Sequence, residues 1–276
     1  MLSQEGFAHK ILKECGMSDC NLTKTPMETR LRLKKNSASE LVDQNKYRSI
    51  VGSLRYLLHT RPDLAYSVGI VSRFMESPRS EHMAAVKQIL RYIKGSASLG
   101  CVYKRSLDSE LYLTGFSDSD LAGDLDDRKS TTGVMFFLGN NLISWFSRKQ
   151  KVVALSSCEA EYIAAASGAC QGVWLEALRS DLLSHNLKSF KLKVDNQSAI
   201  SLSKNPVYHD RSKHIDTRFH YLRENVENGR IEVEHVGTHD QLADILTKPL
   251  GRVRFCELCD KIGLQDVRKC ATSLGK

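Results

Sequence analysis

The hydrophobic residues of this 276-residue chain change their spacing near residue 100, and that change limits the possible folds more than any other feature. Before it, apolar residues recur at steps of three and four, for example at Tyr47, Ile50 and Leu54, which is typical of amphipathic helices. After it, short apolar runs such as 111–116 and 132–138 lie between turn residues, a pattern that predicts strands. The later order of three strands, helix, strand, helices, strand and helix predicts a mixed α/β sheet, antiparallel at first and parallel later.

The composition excludes several other classes of protein. Hydrophobic residues make up 41% of the chain and charged residues 26%, which is ordinary for a globular protein and excludes disorder, collagen and coiled coil. The longest wholly apolar run, 134–138, is far too short to cross a membrane. Residues 1–16 have no apolar core of a secretory signal, so we expect a cytoplasmic or nuclear protein that is neither secreted nor bound to a membrane.

The positive charge is concentrated in the first part of the chain. Residues 1–100 hold 16 basic and 9 acidic residues, whereas residues 101–276 hold 24 and 23. An excess of this kind fits a partner that carries phosphates. On charge alone, a basic protein without any nucleic-acid partner is equally compatible.

The eight cysteines are expected to be reduced thiols, because the chain is long and has no secretory signal. Cys256 and Cys259 form the single C-x-x-C motif, and no second such motif or histidine pair follows to complete a zinc site. The segment 254–262 is therefore interpreted as a short helix.

Four acidic residues lie in apolar segments or at strand ends, where burial would make a charged group unfavourable. Asp118 follows the apolar strand 111–116, and Asp195 ends a later strand; α/β sheets place their sites at such strand ends. Glu161 lies in the first turns of a long helix, on a face of small residues that can pack against a sheet. Asp244 lies among apolar residues of a short helix near the end of the chain.

Four converging carboxylates repel one another and stay ionised only if cations neutralise them. Oxygen ligands of this kind suit Mg²⁺ or Mn²⁺, and two such ions can activate a water and stabilise a leaving oxygen in phosphodiester cleavage. The alternative is that each acid is a helix cap or a solvated surface residue. The spacing alone leaves both interpretations open.

Seven motifs occur in order along the second part of the chain: FSDSDLAG (116–123), RKSTTG (128–133), ISWFSRKQ (143–150), ALSSCEAEY (154–162), DNQSA (195–199), KHIDTRF (213–219) and DQLADILTKP (240–249). Together they resemble the ribonuclease H domain of Copia-type (Pseudoviridae) retrotransposon Pol polyproteins, over residues 104–262. Residues 6–100 resemble the thumb and connection end of the reverse transcriptase in the same polyproteins, through motifs at 47–56, 61–65 and 90–95.

This resemblance implies an α/β fold with a ribonuclease H-like mixed five-stranded sheet flanked by helices, preceded by a small all-helical segment. It divides the chain into a helical remnant of the reverse transcriptase (1–100), a ribonuclease H-like domain (101–262) and a C-terminal tail (263–276). The implied activity is a metal-dependent endonuclease that cleaves the RNA strand of RNA–DNA hybrids with two Mg²⁺ or Mn²⁺ ions.

The metal-binding quartet of the family is Asp, Glu, Asp and Asp in chain order. By resemblance it falls on Asp118, Glu161, Asp195 and Asp244, which would be both the catalytic and the metal-binding residues. These are the four acids that the strand and helix pattern selected. Integrases and transposases of the wider superfamily use the order Asp, Asp, Glu, so the order here favours hybrid hydrolysis over strand transfer.

Three neighbouring residues receive other interpretations. Glu159 is assigned to the cap of the long helix, and Asp120 is expected to be a solvent-exposed loop acid. Cellular ribonucleases H place a histidine in a loop before the last Asp, and the resemblance makes His239 a possible proton shuttle. The alternative for His239 is a surface histidine without a role.

Basic residues close to the quartet would contact the hybrid. We expect such contacts from Arg128, Lys129, Arg148, Lys149 and Lys213, which lie in the motifs given above. The hybrid would be recognised by its A-like groove shape and its 2′-hydroxyl groups rather than by base sequence.

A polymerase palm needs an aromatic-x-Asp-Asp turn, and the closest string in this chain, 124–127, has no aromatic residue in place. The fingers and palm are absent from the sequence, so we expect no polymerase activity from it. Two alternatives to an active nuclease stay open: a catalytically silent nucleic-acid-binding relic, and a domesticated host protein that uses the fold for protein contacts. The oligomeric state is not predicted.

Overall fold

The computed structural model describes residues 1–105, 112–184, 186–204 and 216–268. The chain forms two compact units, Met1–Tyr103 with Lys248–Lys276, and Lys104–Thr247. The helices are α1 (Glu5–Glu14), α2 (Gln44–Leu57), α3 (Ala65–Val71), α4 (Ser80–Gly95), α5 (Ser157–Leu183), α6 (Gln197–Lys204), α7 (Asp216–Glu227) and α8 (Arg252–Lys261). The strands are β1 (Leu99–Cys101), β2 (Leu113–Ser119), β3 (Thr131–Leu138), β4 (Asn141–Lys149), β5 (Phe190–Val194), β6 (Ile231–His235) and β7 (Leu264–Asp266).

The unit Lys104–Thr247 is built on a five-stranded sheet with the order β4-β3-β2-β5-β6. Strands β2, β3 and β4 are antiparallel neighbours. Between β3 and β4, the short connection at Gly139, which has φ +58°, returns the chain directly. Strand β5 is parallel to β2 and β6 is parallel to β5, which requires the crossover helices α5 and α7 between them. The fold class predicted from the sequence, a mixed five-stranded sheet flanked by helices, is confirmed.

Helix α5 packs against the centre of this sheet. It begins at Ser156, whose hydroxyl accepts a hydrogen bond from the backbone N–H of Glu159 at 3.1 Å. Its inner face is made of small residues, and a side chain at Gly172 would stand 2.3 Å from the ring of Phe190. The close approach lets the helix cover the buried rings and branched side chains of β3 and β5, each of which contributes about 1.5–3 kcal/mol when fully buried.

The first unit contains helices α1–α4 and a two-stranded ladder. Asp43 caps α2 by accepting hydrogen bonds from the backbone N–H groups of Asn45 and Lys46. The ladder pairs β1 with β7 in antiparallel register. The helical periodicity of the first hundred residues predicted helices α1–α4, whereas the ladder of β1 and β7 was not predicted.

The C-terminal part of the chain differs from the predicted division. The sequence suggested a domain that runs to residue 262 and a tail after it, whereas the structure groups α8 and β7 with the first unit. The reason is that Phe255 packs edge-on against Tyr92 with ring centroids 5.5 Å apart, and β7 pairs with β1. In the part of the chain that the structure describes, every helix is too short or too polar to cross a bilayer.

Candidate metal centre

Three aspartate carboxylates converge at the carboxyl ends of strands β2 and β5. Asp118 lies near the end of β2, Asp195 directly follows β5, and Asp244 lies in the 3₁₀ turn Leu242–Leu246. One oxygen of each lies within 4.8 Å of the corresponding oxygens of the other two. Because β2 and β5 are parallel neighbours, their carboxyl ends meet at one edge of the sheet, which brings together acids that are far apart in sequence.

Electrostatic repulsion among the three carboxylates destabilises this cluster. Asp118 and Asp244 are buried and Asp195 is half-buried. Two ionised carboxylates 4.8 Å apart repel each other by about 3 kcal/mol at an effective dielectric constant of about 20. A folded chain keeps three such groups together only where a proton or a cation compensates their negative charge.

Glu161, in the first turns of α5, lies close enough to Asp118 and Asp195 for their charges to act on it. Its side chain is buried, and its Oε1 accepts a hydrogen bond from the backbone N–H of Ser119 at 3.1 Å. Within the described ranges, its Oε2 has no hydrogen-bond partner. Burial, followed by the charges of Asp118 and Asp195, raises the pKa of Glu161 to about 10. The field at this position is therefore strongly negative, and a proton or a cation has to compensate it.

Two residues that the sequence did not single out donate hydrogen bonds to the end of β2 that carries Asp118. The Thr247 hydroxyl donates a hydrogen bond to Oδ2 of Asp118, and Gln241 Nε2 donates to the carbonyl oxygen of Ser117 at 2.9 Å. Both Thr247 and Gln241 are fully buried. The available signal was their position, three residues on either side of Asp244 in the motif DQLADILTKP.

The carboxylates of Glu159 and Asp120 both accept hydrogen bonds from backbone N–H groups. Glu159 Oε2 accepts from the backbone N–H of Leu155 at 2.8 Å, so the prediction that it serves the start of α5 is confirmed. The prediction of a solvent-exposed Asp120 is wrong. This side chain is half-buried, and its carboxylate accepts a hydrogen bond from the backbone N–H of Thr131 across the loop that joins β2 to β3.

No protein-family model matches the chain. It is 42% identical, over 96% of its length, to the retrovirus-related Pol polyprotein from transposon RE1 of Arabidopsis thaliana. It is also 42% identical, over 95% of its length, to the corresponding polyprotein from transposon TNT 1-94 of Nicotiana tabacum. This chain belongs to the retrovirus-related Pol polyproteins of Copia-type transposons.

The Pol-family chain spans about a fifth of the length of these relatives, 18% and 20% respectively. The family predicted from the sequence motifs is confirmed. Among solved structures, LC11-RNase H1, isolated from compost, is similar over 49% of this chain and 92% of its own length, with a TM-score of 0.37 and 16% identity.

The donor set of this Pol-family chain fits a divalent cation. Three carboxylate oxygens lie close enough together to share one ion, and Glu161 Oε2 adds an oxygen that lacks a hydrogen-bond partner among the described residues. Hard oxygen donors without sulfur or imidazole favour Mg²⁺ or Mn²⁺ over zinc or copper.

The basic residues predicted to contact nucleic acid fall into different environments. Lys149 lies 2.7 Å from Asp124 and 2.8 Å from Asp127, so its charge is engaged within the protein. Although burial alone would raise the pKa of Asp124, the hydrogen bonds from Lys149 and from the Asp127 and Asp126 N–H groups hold it well below its ordinary value. These ion pairs let Lys149 anchor the β2–β3 loop, and its contact with nucleic acid stays a prediction.

The other predicted contacts are more accessible. Arg128 and Arg148 are exposed, and the guanidinium of Arg148 lies 4.5 Å from the ring centroid of Phe146. Lys129 is half-buried and lies 3.5 Å from Asp127. Lys213 lies outside the described residues.

His239, the predicted proton shuttle, is exposed in the 3₁₀ turn Thr238–Asp240 that follows β6. Its Nδ1 lies 3.5 Å from a carboxylate oxygen of Asp240. The position is compatible with solvent access, and the shuttle role stays a prediction.

Proposed function

We propose that this Pol-family chain is a metal-dependent endonuclease that cleaves the RNA strand of RNA–DNA hybrids. The observation that carries the proposal is the convergence of Asp118, Asp195 and Asp244 at one edge of the sheet, with Glu161 near Asp118 and Asp195. Membership of the Copia-type Pol family supports it, because the same four acids are those that the family resemblance marks.

In this proposal the four carboxylates hold one or two Mg²⁺ or Mn²⁺ ions. Bound divalent ions supply Lewis acidity and a water activated for attack on phosphorus. The described residues do the rest: Asp118 and Asp195 present their carboxylates from rigid strand ends, and Glu161 approaches from the rigid helix α5.

Exposed cations orient the hybrid without reading its sequence. Arg128 and Arg148 are placed to contact phosphates, with Lys129 as a weaker third contact because Asp127 is near it. The proposal also assigns no polymerase chemistry to these 276 residues, since the sequence contains no aromatic-x-Asp-Asp motif.

The test is a cleavage assay on the full chain with a hybrid labelled on its RNA strand. We expect cleavage in Mg²⁺ or Mn²⁺ and none in EDTA, and no cleavage of double-stranded DNA or single-stranded RNA of the same sequence. Hybrid binding without cleavage in either metal would overturn the nuclease and favour a silent nucleic-acid-binding relic. A folded chain that neither binds nor cleaves would instead favour a domesticated role in protein contacts.

A further inference from the structure

Hydrogen bonds from residues on both sides of Asp244 connect its turn to strand β2. Gln241 lies three residues before Asp244 and Thr247 three residues after it. The Gln241 side chain accepts a hydrogen bond from the backbone N–H of Ala243 at 3.2 Å and donates to the carbonyl oxygen of Ser117 at 2.9 Å. This amide therefore joins the first residues of the turn to the backbone just before Asp118.

Thr247 makes the second connection and reaches the ligand itself. Its hydroxyl donates to Oδ2 of Asp118, and its backbone N–H donates to the carbonyl oxygen of Asp244 at 3.2 Å. One residue therefore contacts the carboxylate of the first aspartate and the backbone of the last. Both donors are buried, so water does not compete with them.

A glycine on the neighbouring strand makes room for this connection. Gly133 stands opposite Asp118 in the β2–β3 ladder. A Cβ atom at this position would lie 2.7 Å from Cβ of Leu246 and 2.7 Å from Cγ2 of Thr247, which is closer than real contacts allow. Any side chain here would push the turn, and Thr247 with it, away from β2.

We propose that Thr247 is a positioning residue of the metal centre, which fixes the carboxylate of Asp118 and sets its separation from Asp244. A hydroxyl that donates to Oδ2 restricts the rotation of the Asp118 carboxylate and holds its plane in one orientation. Gln241 has the supporting role of keeping the turn against β2. The inference rests on the proposed metal-dependent function, and it assigns a role to residues outside the acidic quartet.

The test compares Thr247→Val, which keeps the shape and removes the hydroxyl, with Thr247→Ser, which keeps the hydroxyl. Binding of Mn²⁺ to the full chain is measured by calorimetry, without nucleic acid. Loss of a hydrogen-bond partner of a metal ligand typically costs about 10- to 100-fold in affinity. We expect Thr247→Val to weaken Mn²⁺ binding at least about 10-fold and Thr247→Ser to stay within about 3-fold of the unmodified chain.

The matched control is Ser203→Ala, which removes another fully buried hydroxyl of the same unit, one that donates to the carbonyl oxygen of Ile200 at 2.7 Å. It should leave Mn²⁺ affinity unchanged even if it lowers thermal stability. In cleavage assays Thr247→Val should raise the Mg²⁺ concentration for half-maximal rate, and a high Mg²⁺ concentration should restore most of the rate.

Unchanged Mn²⁺ affinity in a folded Thr247→Val chain would overturn the positioning role, as would equal losses in the Val and Ser variants. If Thr247→Val does not fold, Gln241→Met takes its place. This variant removes both bonds of the amide and is expected to weaken Mn²⁺ binding as well; unchanged affinity would overturn the proposal. Mn²⁺ binding without hybrid cleavage would refute the nuclease and leave the positioning role standing, whereas absence of Mn²⁺ binding would refute both.

Discussion

Asp63 in the first unit and Asp118 in the second are equally buried, each with 1% of its surface exposed, but their carboxylates have different surroundings. Asp63 lies 2.7 Å from the guanidinium of Arg61 and also accepts a hydrogen bond from the Tyr92 hydroxyl at 2.7 Å. Asp118 accepts a hydrogen bond from the neutral hydroxyl of Thr247 and lies within 4.8 Å of two further carboxylates.

We interpret Asp63 as a structural acid, whereas Asp118 belongs to the proposed metal centre. Arg61 stays charged at any pH the protein meets, and it also donates to the carbonyl oxygen and hydroxyl of Ser96, so the Asp63 cluster is complete within the chain. Burial, and then the charge of Asp63, raises the pKa of Tyr92, which keeps its phenol protonated as a donor. Around Asp118 the same kind of burial concentrates negative charge, and a centre of that kind is suited to bind an external cation.

The largest effect in this comparison is expected from Asp63→Asn. The change leaves the guanidinium of Arg61 buried without its counter-charge, and breaking a buried pair in this way costs about 3–5 kcal/mol. Chemical denaturation should show the loss. The double variant Arg61→Met/Asp63→Leu should regain part of it, because it leaves no buried charge, although the Tyr92 hydroxyl and Ser96 lose hydrogen-bond partners. Equal stability of Asp63→Asn and the unmodified chain would show that the ion pair of Asp63 with Arg61 does not stabilise the fold.

Asp118→Asn should lower hybrid cleavage without lowering stability, the reverse of the effect expected for Asp63→Asn. Removing one negative charge from the cluster relieves repulsion, so stability without metal should be unchanged or higher. Hybrid cleavage should fall by at least about 10²-fold, because a metal ligand is lost. Hybrid binding at low salt should stay within a few-fold, since it depends on phosphate contacts. The control is Asp126→Asn, an exposed acid of the β2–β3 loop; equal loss of cleavage in both variants would show that the first ligand is misplaced.

The pH dependence of stability should reveal the negative field at Glu161. The folded, metal-free chain keeps a proton on this group up to a pKa of about 10, whereas the unfolded chain releases it near the ordinary value of 4.5. The folded state thus binds more protons across this range, so its stability falls as pH rises from 4.5 toward 10. Between pH 6 and 8 the loss should be about 1–3 kcal/mol.

Thermal unfolding in EDTA measures this slope, with Glu161→Gln as the comparison. The amide does not titrate, so the variant should lose less stability as pH rises and should be the more stable chain at pH 8. Saturating Mg²⁺ should stabilise the unmodified chain more at pH 8 than at pH 6, because the ion replaces the proton. Parallel slopes for the two chains would show that Glu161 is ionised without metal.

The smallest effects concern the two neighbouring cations of β4. Lys149→Gln removes ion pairs with Asp124 and Asp127 and should cost at most about 1 kcal/mol, without changing the salt dependence of hybrid binding. Arg148→Gln should leave stability unchanged and reduce the slope of log affinity against log salt by about one, as expected for one lost phosphate contact. A reversed pattern would mean that Lys149 faces the hybrid.

The spacing of apolar residues predicted most elements of both units, because a helix face or a strand face has to be buried whatever surrounds it. The same reasoning placed Asp118 and Asp195 at strand ends, and the structure brings them together with Asp244. The family motifs then separated Glu161 from Glu159, two residues away in the sequence.

Contacts between residues far apart in the sequence were not predictable in this way. Asp120 was expected at the surface because nothing in its segment shows that it will bond to the backbone of Thr131. The ion pairs of Lys149 were not predicted either, because its partners, Asp124 and Asp127, belong to a different strand connection.

Local patterning along the chain was thus enough to predict most of the helices and strands and to select the four acids as candidates, since each depends on neighbours within a few residues. Only the tertiary structure shows which buried charges have an opposite charge beside them. Asp63 forms an ion pair with Arg61, whereas the neighbours of Asp118 at the ends of β2 and β5 are further carboxylates. The assignment of α8 and β7 to the first unit, and the bond from Thr247 to Asp118, likewise depend on pairings across more than a hundred residues. Apolar periodicity carries no information about such pairings, because it fixes which face is buried and not what lies against it.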